Sequence, residues 1–329
     1  MKVGTSRMQR RDIHQDHEFF EYARLQDSAP EARRDRIDVA ILDMNHSWPN
    51  VGHDSLVHAV LEAAESLREP LRDAGLKVRA LSFDVRRKLM LPDNPNGRYQ
   101  LYIGTGGPGH LDPRENDGVR EYSQGINETD AWEAPLFHLF DKILAHPTAA
   151  LIGICHSFGL MCRWSGAAHP RLREVKSEGM PFNSLTAAAS SHPWFSQFAG
   201  ELPDGKRFRV VDNRLFDLAF DGGSATPIAF ENDASDAVTT CEFARFGEMP
   251  RVYGVNHHPE IIDREHVMAV VEEKWRHGEV SRKWYEERLH TLENEMTGDN
   301  VRQSRLTSRY MLLEPLRFHL ERLLRERAG

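Results

Sequence analysis

The sequence predicts an α/β fold, a mainly parallel sheet covered by helices on both faces, followed by a C-terminal helical extension. Two observations carry this. Short apolar runs of strand length alternate with longer segments of helical spacing through the first half of the chain, the pattern of a parallel sheet with crossover helices. After residue 265 the apolar spacing is helical alone.

The elements follow in chain order. Residues 1–36 are charged and weakly periodic, which marks an arm or a peripheral helix. The run Val39-Ala40-Ile41-Leu42-Asp43 is short and apolar enough for a buried strand. Leu56 to Gly75 is helical, with Gly75 as its stop. Val78 to Phe83 is a second strand, and Tyr99 to Ile103 a third that ends in the turn Gly104-Thr105-Gly106-Gly107-Pro108-Gly109. Trp132 to Leu144 is helical, and Ala149 to Ile154 is an apolar strand running into Cys155. From Phe208 the pattern becomes short strands at Arg209–Val211, Thr226–Phe230 and Arg251–Val255. Helix then continues from Val267 to about Glu295, breaks at Gly298-Asp299-Asn300, and resumes from Val301 to Arg325. In that last stretch Leu313, Leu316, Leu320, Leu323 and Leu324 make an apolar stripe. The boundaries are residues 1–36, 37–265 and 266–329.

Composition narrows the function classes. The chain has 329 residues, 40% of them hydrophobic, and a mean hydropathy of -0.56. No apolar run approaches the roughly 20 residues that span a bilayer, and the polar N-terminus carries no signal-peptide pattern. A cytoplasmic protein is expected. A net charge of -8 speaks against nucleic acid as a partner. The three cysteines, Cys155, Cys162 and Cys241, cannot all pair and do not have zinc-knuckle spacing.

Three segments carry chemistry. In Gly153-Ile154-Cys155-His156-Ser157, a buried strand turns sharply into a helix. That elbow puts the side chain at the turn on the C-terminal edge of the sheet, where ligands bind. The N–H groups at the start of the following helix favour negative charge there. Taken alone, Cys155 could equally be a small buried apolar residue. In His257-His258-Pro259-Glu260, the stiff proline restricts the geometry between His258 and Glu260. A carboxylate on one ring nitrogen leaves the other free to take a proton from a thiol. His257 is read as structural. Third, the glycines of Gly104 to Gly109 let backbone N–H groups approach a ligand closely, as an oxyanion hole requires. The amides of Gly107 and His156 are the expected donors. A phosphate loop is the rival, but the GKS or GKT ending is missing.

In this order the three segments resemble the class I glutamine amidotransferase family over roughly residues 37–265. The resemblance implies a flavodoxin-like sheet, a Cys155–His258–Glu260 triad and a carboxamide substrate, glutamine or a γ-glutamyl-type amide, cleaved through a thioester. It further implies substrate contacts at Gly106, Pro108, Gly109, Gly159 and His192. Ser191-His192 and Glu201-Leu202-Pro203 stand where the family often has a histidine-containing segment. The sequence departs from the family at the elbow, where Gly159 replaces the usual glutamine and Ser157 a glycine, so the acyl group held there is open. A metal site from His110, His156 and His258 is conceivable by residue type. The chemistry needs none, and no metal or organic cofactor is expected.

The partners implied are a small-molecule amide and a separate synthase docked on the C-terminal helices, or a second copy of the chain. Those helices, with Trp275, Trp284, Tyr285 and Tyr310, could equally cover the core. Two other readings remain at this stage. One is a stand-alone hydrolase or transferase of γ-glutamyl or related amides, acting in a biosynthetic pathway. The other is a non-catalytic binding protein that keeps the fold.

Overall fold

The computed structural model describes residues 17–48, 50–278 and 280–328. Residues 1–16 of the expected arm lie outside the described residues. The strands in chain order are β1 (Phe20–Arg24), β2 (Arg36–Asp43), β3 (Lys77–Asp84), β4 (Leu101–Gly104), β5 (Ala150–Ile154) and β6 (Ala168–Gly179). They continue with β7 (Phe182–Leu185), β8 (Arg207–Arg209), β9 (Asp212–Phe220), β10 (Thr226–Phe230), β11 (Val238–Glu242) and β12 (Val252–Val255).

Ten strands form one sheet in the order β1-β3-β2-β4-β5-β12-β11-β10-β7-β8, and β6 pairs with β9 in a separate ribbon. From β1 to β12 in this order all neighbours are parallel. From β12 outward to β8 they are antiparallel. The parallel half reads as continuous apolar sequence because helices cover both of its faces. Residues of β2 and β5 are buried along their whole length. The fold is the expected flavodoxin-like one, with the C-terminal helical stretch added.

Two apolar clusters fill the faces of the sheet. One packs helix Val51–Glu65 and the last helix, Glu314–Ala328, against strands that include β2 and β5. The other packs helix Glu133–Ala145 and helix His156–Ser165 on the opposite face. Asn50 caps helix Val51–Glu65, its side chain accepting from the amides of Gly52 and His53.

Several expectations change. The stretch read as an arm contributes β1, which pairs in parallel with β3 at the sheet's edge. An edge strand that is only half buried needs no apolar run, and here Glu21 and Arg24 interrupt Phe20, Tyr22 and Ala23. Leu56 to Gly75 is two helices, Val51–Glu65 and Arg68–Asp73. The strands β6, β7, β9 and β11 were not read at all; β6 is 12 residues long and mostly solvated. The apolar stripe of the last helix is buried inside the chain itself, with Leu316 and Leu320 both 0% exposed. No helix among the described residues is long and apolar enough to cross a membrane.

Candidate active site

Cys155 stands between β5 and helix His156–Ser165 with φ 49° and ψ -104°. A non-glycine residue there is strained, and the surroundings must hold it. Its N–H donates to Val255 O of the neighbouring strand β12 at 2.7 Å, and its carbonyl accepts from Gly159 N–H at 3.0 Å. Ser157 clamps the elbow to the end of β4 by donating its hydroxyl to Thr105 O at 2.7 Å. A Cβ on Gly104 would meet that hydroxyl oxygen at 2.4 Å, so only glycine fits beneath the clamp. The thiol is half-buried, whereas Cys162 and Cys241 are buried.

The adjacent strand β12 delivers the second group. Past its end, the main chain of His258 is fixed by donation from its N–H to Val211 O at 2.8 Å. His258 Nδ1 lies 2.7 Å from Glu260 Oε1, and the ring also hydrogen-bonds the Cys155 thiol. Burial works against charge on this ring, but Glu260 first and Cys155 second outweigh it. His258 is therefore held well above its ordinary value, which favours the charged ring. Gly106 faces the pair: a Cβ there would lie 3.1 Å from His258 Cε1 and 3.9 Å from Cys155 Sγ.

The glycine loop is anchored by groups far away in sequence. Arg86 donates through Nη1 to Met44 O at 2.9 Å and Pro108 O at 2.7 Å, and pairs with Glu128 at 2.5 Å. Asn116 bridges Glu128 to the loop by donating to Glu128 Oε1 and His110 O while accepting from His110 N–H. Gly107 lies so close to Met44 O that a Cβ would meet it at 2.4 Å. These anchors carry no sequence signal of their own; each is an ordinary polar residue until the fold pairs it.

Cys155, His156, His258, Gly107, Pro108 and Gly109 line one cavity of about 790 Å³. His156 is 3% exposed, and burial pushes its imidazole well below the ordinary range. Asp212 and Arg214 of β9 also line the cavity and were missed in the sequence. Both are buried, and burial pushes the Asp212 carboxyl up. Lys274 and Arg288, from the C-terminal helices, are further lining residues.

Two expected substrate residues are elsewhere. His192 is fully buried away from the cavity. Its Nε2 lies 2.9 Å from Glu242 Oε2, and its Nδ1 accepts from Trp194 N–H, so both nitrogens serve the fold. Gly159 is buried against Leu111, where a Cβ would meet Leu111 Cδ1 at 2.5 Å. Leu111, not residue 159, forms that part of the cavity wall. His257 is buried with neither ring nitrogen hydrogen-bonded to any of the described residues, and burial lowers it to about 3. His110 faces the edge of Phe216 at 4.7 Å, and its Nδ1 accepts from Asp112 N–H. Among the described residues no group of three His, Cys, Asp or Glu side chains could hold a metal ion.

No protein-family model and no curated protein matches the chain in sequence. Solved structures do match its fold. A glutamine amidotransferase from Methylobacillus flagellatus is 12% identical, with 84% of this chain and 94% of that chain covered at a TM-score of 0.50. The protein SMU.1228c is 20% identical, with 85% and 99% covered and a TM-score of 0.50. A glutamine amidotransferase from Thermotoga maritima is 16% identical over 88% and 98%, with a TM-score of 0.46. The chain thus has the fold of the glutamine amidotransferase class I-like proteins.

Proposed function

We propose that this chain is a cysteine-dependent amide hydrolase that cleaves a carboxamide, glutamine or a γ-glutamyl-type amide, through a thioester on Cys155. The observation that carries the proposal is a single imidazole bonded to both a thiol and a carboxylate, His258 between Cys155 and Glu260. That is the constellation that activates a nucleophile and then protonates a leaving group.

In this mechanism the Cys155 thiolate attacks the amide carbon. Backbone amides of Gly107 and His156 take the oxyanion, at roughly 3 kcal/mol for each donor. The imidazolium of His258 gives its proton to the departing nitrogen as the C–N bond breaks, leaving a thioester and a free amine or ammonia. The neutral ring then takes a proton from water, hydroxide attacks the thioester, and the acid leaves as the thiol is restored. Glu260 keeps the ring oriented and stabilises its charged form throughout. Residues 37–265 supply these groups, and 266–329 form a helical extension.

Within this reading, a stand-alone enzyme is favoured over a subunit that passes ammonia to a synthase. Helices of the extension line the cavity over Cys155, and the Leu stripe of the last helix is used within the chain. Docking of a synthase or a second copy would use other surface, such as that around Trp275, which is 41% exposed.

Cys155→Ala tests the proposal. It should abolish amide hydrolysis and covalent capture by a glutamine-analogue electrophile while leaving the melting temperature nearly unchanged. Turnover equal to that of the parent chain would refute it.

A further inference from the structure

Arg86 places the glycine loop, but it leaves open the turn of one peptide inside it. The Gly106–Gly107 peptide has glycine on both sides, so no side chain limits its rotation. A trans peptide is planar, with its C=O and N–H pointing in opposite directions. Whatever holds the Gly106 carbonyl therefore sets where the Gly107 N–H points.

The holder is Thr105, whose hydroxyl donates to Gly106 O at 2.8 Å. A hydroxyl has one proton and two acceptor sites, and here both acceptor sites are taken. Met44 N–H donates to Thr105 Oγ1 at 2.9 Å, and Asn45 Nδ2 donates to it at 3.2 Å. Asn45 is fixed in turn, its Nδ2 and its main-chain N–H donating to Asp43 Oδ1 at 2.7 and 3.0 Å. Arg24 of β1 donates to Asp43 Oδ2 at 3.0 Å. Three side chains in series thus fix the direction of one hydroxyl proton. The same residue grips the elbow at Cys155: Thr105 O accepts from Ser157 N–H at 3.3 Å and from its hydroxyl at 2.7 Å. Thr105 is 2% exposed and lies outside the cavity lining, whereas Gly107 belongs to it. The Gly106 carbonyl is therefore turned to the buried side and the Gly107 N–H to the open one. Among the described residues nothing accepts from that N–H.

We propose that Thr105 is a positioning residue of the reaction, its hydroxyl turning the Gly107 N–H toward the carbonyl oxygen of a substrate at Cys155; the inference rests on the thioester chemistry proposed above. An oxyanion donor works through aim, because it must already face the place where charge develops. Without the hydroxyl, Gly106 O loses its partner, and a peptide between two glycines is free to turn away. Thr105 itself touches neither the substrate nor the thiol. Its effect is confined to steps that put charge on a carbonyl oxygen.

Two reagents separate the aim of the amide from the strength of the nucleophile. With p-nitrophenyl acetate, the Cys155 thiolate adds to the carbonyl carbon through an oxyanion and p-nitrophenolate leaves. With methyl methanethiosulfonate, the thiolate attacks sulfur, a sulfinate leaves, and no carbonyl oxygen takes up charge. The full chain is treated with each, and p-nitrophenolate absorbance and the mass of the Cys155 peptide give the two rates. Thr105→Val removes the hydroxyl at constant size and should lower the ratio of acylation to thiolation at least tenfold. Thr105→Ser keeps the hydroxyl and should hold the ratio within about twofold of the parent chain. Thr105→Ala is made alongside, and melting curves show which variants fold. An unchanged ratio in a folded Val or Ala variant overturns the inference. Failure of both to fold overturns it too, because Thr105 would then serve the fold alone. Thiolation of the parent chain reads the other proposal: a Cys155 no faster than an ordinary thiol counts against the triad. A fast thiol with an unchanged ratio counts against Thr105 alone.

Discussion

A methyl group on Gly52 would lie 2.9 Å from Oε1 of Glu260 and 3.7 Å from Nδ1 of His258. Gly52 is the second residue of helix Val51–Glu65, with no positive φ to require glycine. Alanine suits a helix better than glycine by about 1 kcal/mol. Gly52→Ala should therefore leave stability unchanged within about 1 kcal/mol yet push the Glu260 carboxylate off the imidazole. A misplacement of this size costs roughly 10- to 100-fold in kcat. Steady-state kinetics beside a melting curve separates the two effects, and unchanged kcat would show that Glu260 does not orient His258. At Gly159 the local lesson differs. Leu111 already fills the space that a side chain there would enter, so glycine at this position is a packing fact as well as a chemical one.

At the scale of elements, the glycine loop owes its position to Arg86 rather than to its own sequence. The guanidinium is buried, with two backbone carbonyls and the Glu128 carboxylate as partners. Arg86→Met would leave Glu128 buried beside Asn116 and Trp132 without its counter-charge. Breaking such a pair costs about 3–5 kcal/mol. The expected result is a urea midpoint well below that of the parent chain and a fall in kcat, as the glycine loop beside Cys155 loses its anchor. Arg86→Met with Glu128→Gln should recover part of the stability, because no uncompensated charge remains. A single variant as stable as the parent would remove Arg86 from this role.

At the scale of the molecule, the buried histidines set how stability responds to acid. Burial holds His257 down to about 3 and His319 down to about 4, while in the unfolded chain both take a proton near 6.5. Between these limits the unfolded state binds more protons, so stability falls as pH drops from about 6.5 toward 4. Each ring contributes up to about 1.4 kcal/mol per pH unit. His258 acts in the opposite sense: its raised value makes a contribution that is fully present below 6.5 and is lost as pH rises through the native value. Urea midpoints measured from pH 7 to pH 4.5 should decline, and His319→Gln should flatten the decline. A flat parent profile would contradict the assignment of neutral buried rings.

Much of the central fold and part of the candidate site were legible in the chain for local reasons. Strands β2, β4 and β5 are buried on both faces, so burial wrote itself as short apolar runs. Cys155 was legible because an apolar strand ran into it, and His258 with Glu260 because two residues and a proline set their geometry. What escaped was nonlocal or only half-buried. Arg86 meets Glu128 across 42 positions, and Glu242 meets His192 across 50. No spacing rule links such residues, and the same fact sent His192 to the core when sequence had placed it at the substrate. Strand β1 and the ribbon of β6 with β9 alternate between solvent and core too loosely to show a period.

By itself, then, the sequence determined the α/β layers, the elbow at Cys155 and the His258–Glu260 pair, because each depends on residues close together in the chain. Only the tertiary structure decided what surrounds them. It closed the leucine stripe of the last helix onto the chain's own core and set Leu111 against Gly159. It also brought helices from beyond residue 265 over the cavity beside His258. Those arrangements depend on which distant surfaces meet, and the free energy of that meeting is written in the packing of the whole chain rather than in any one segment.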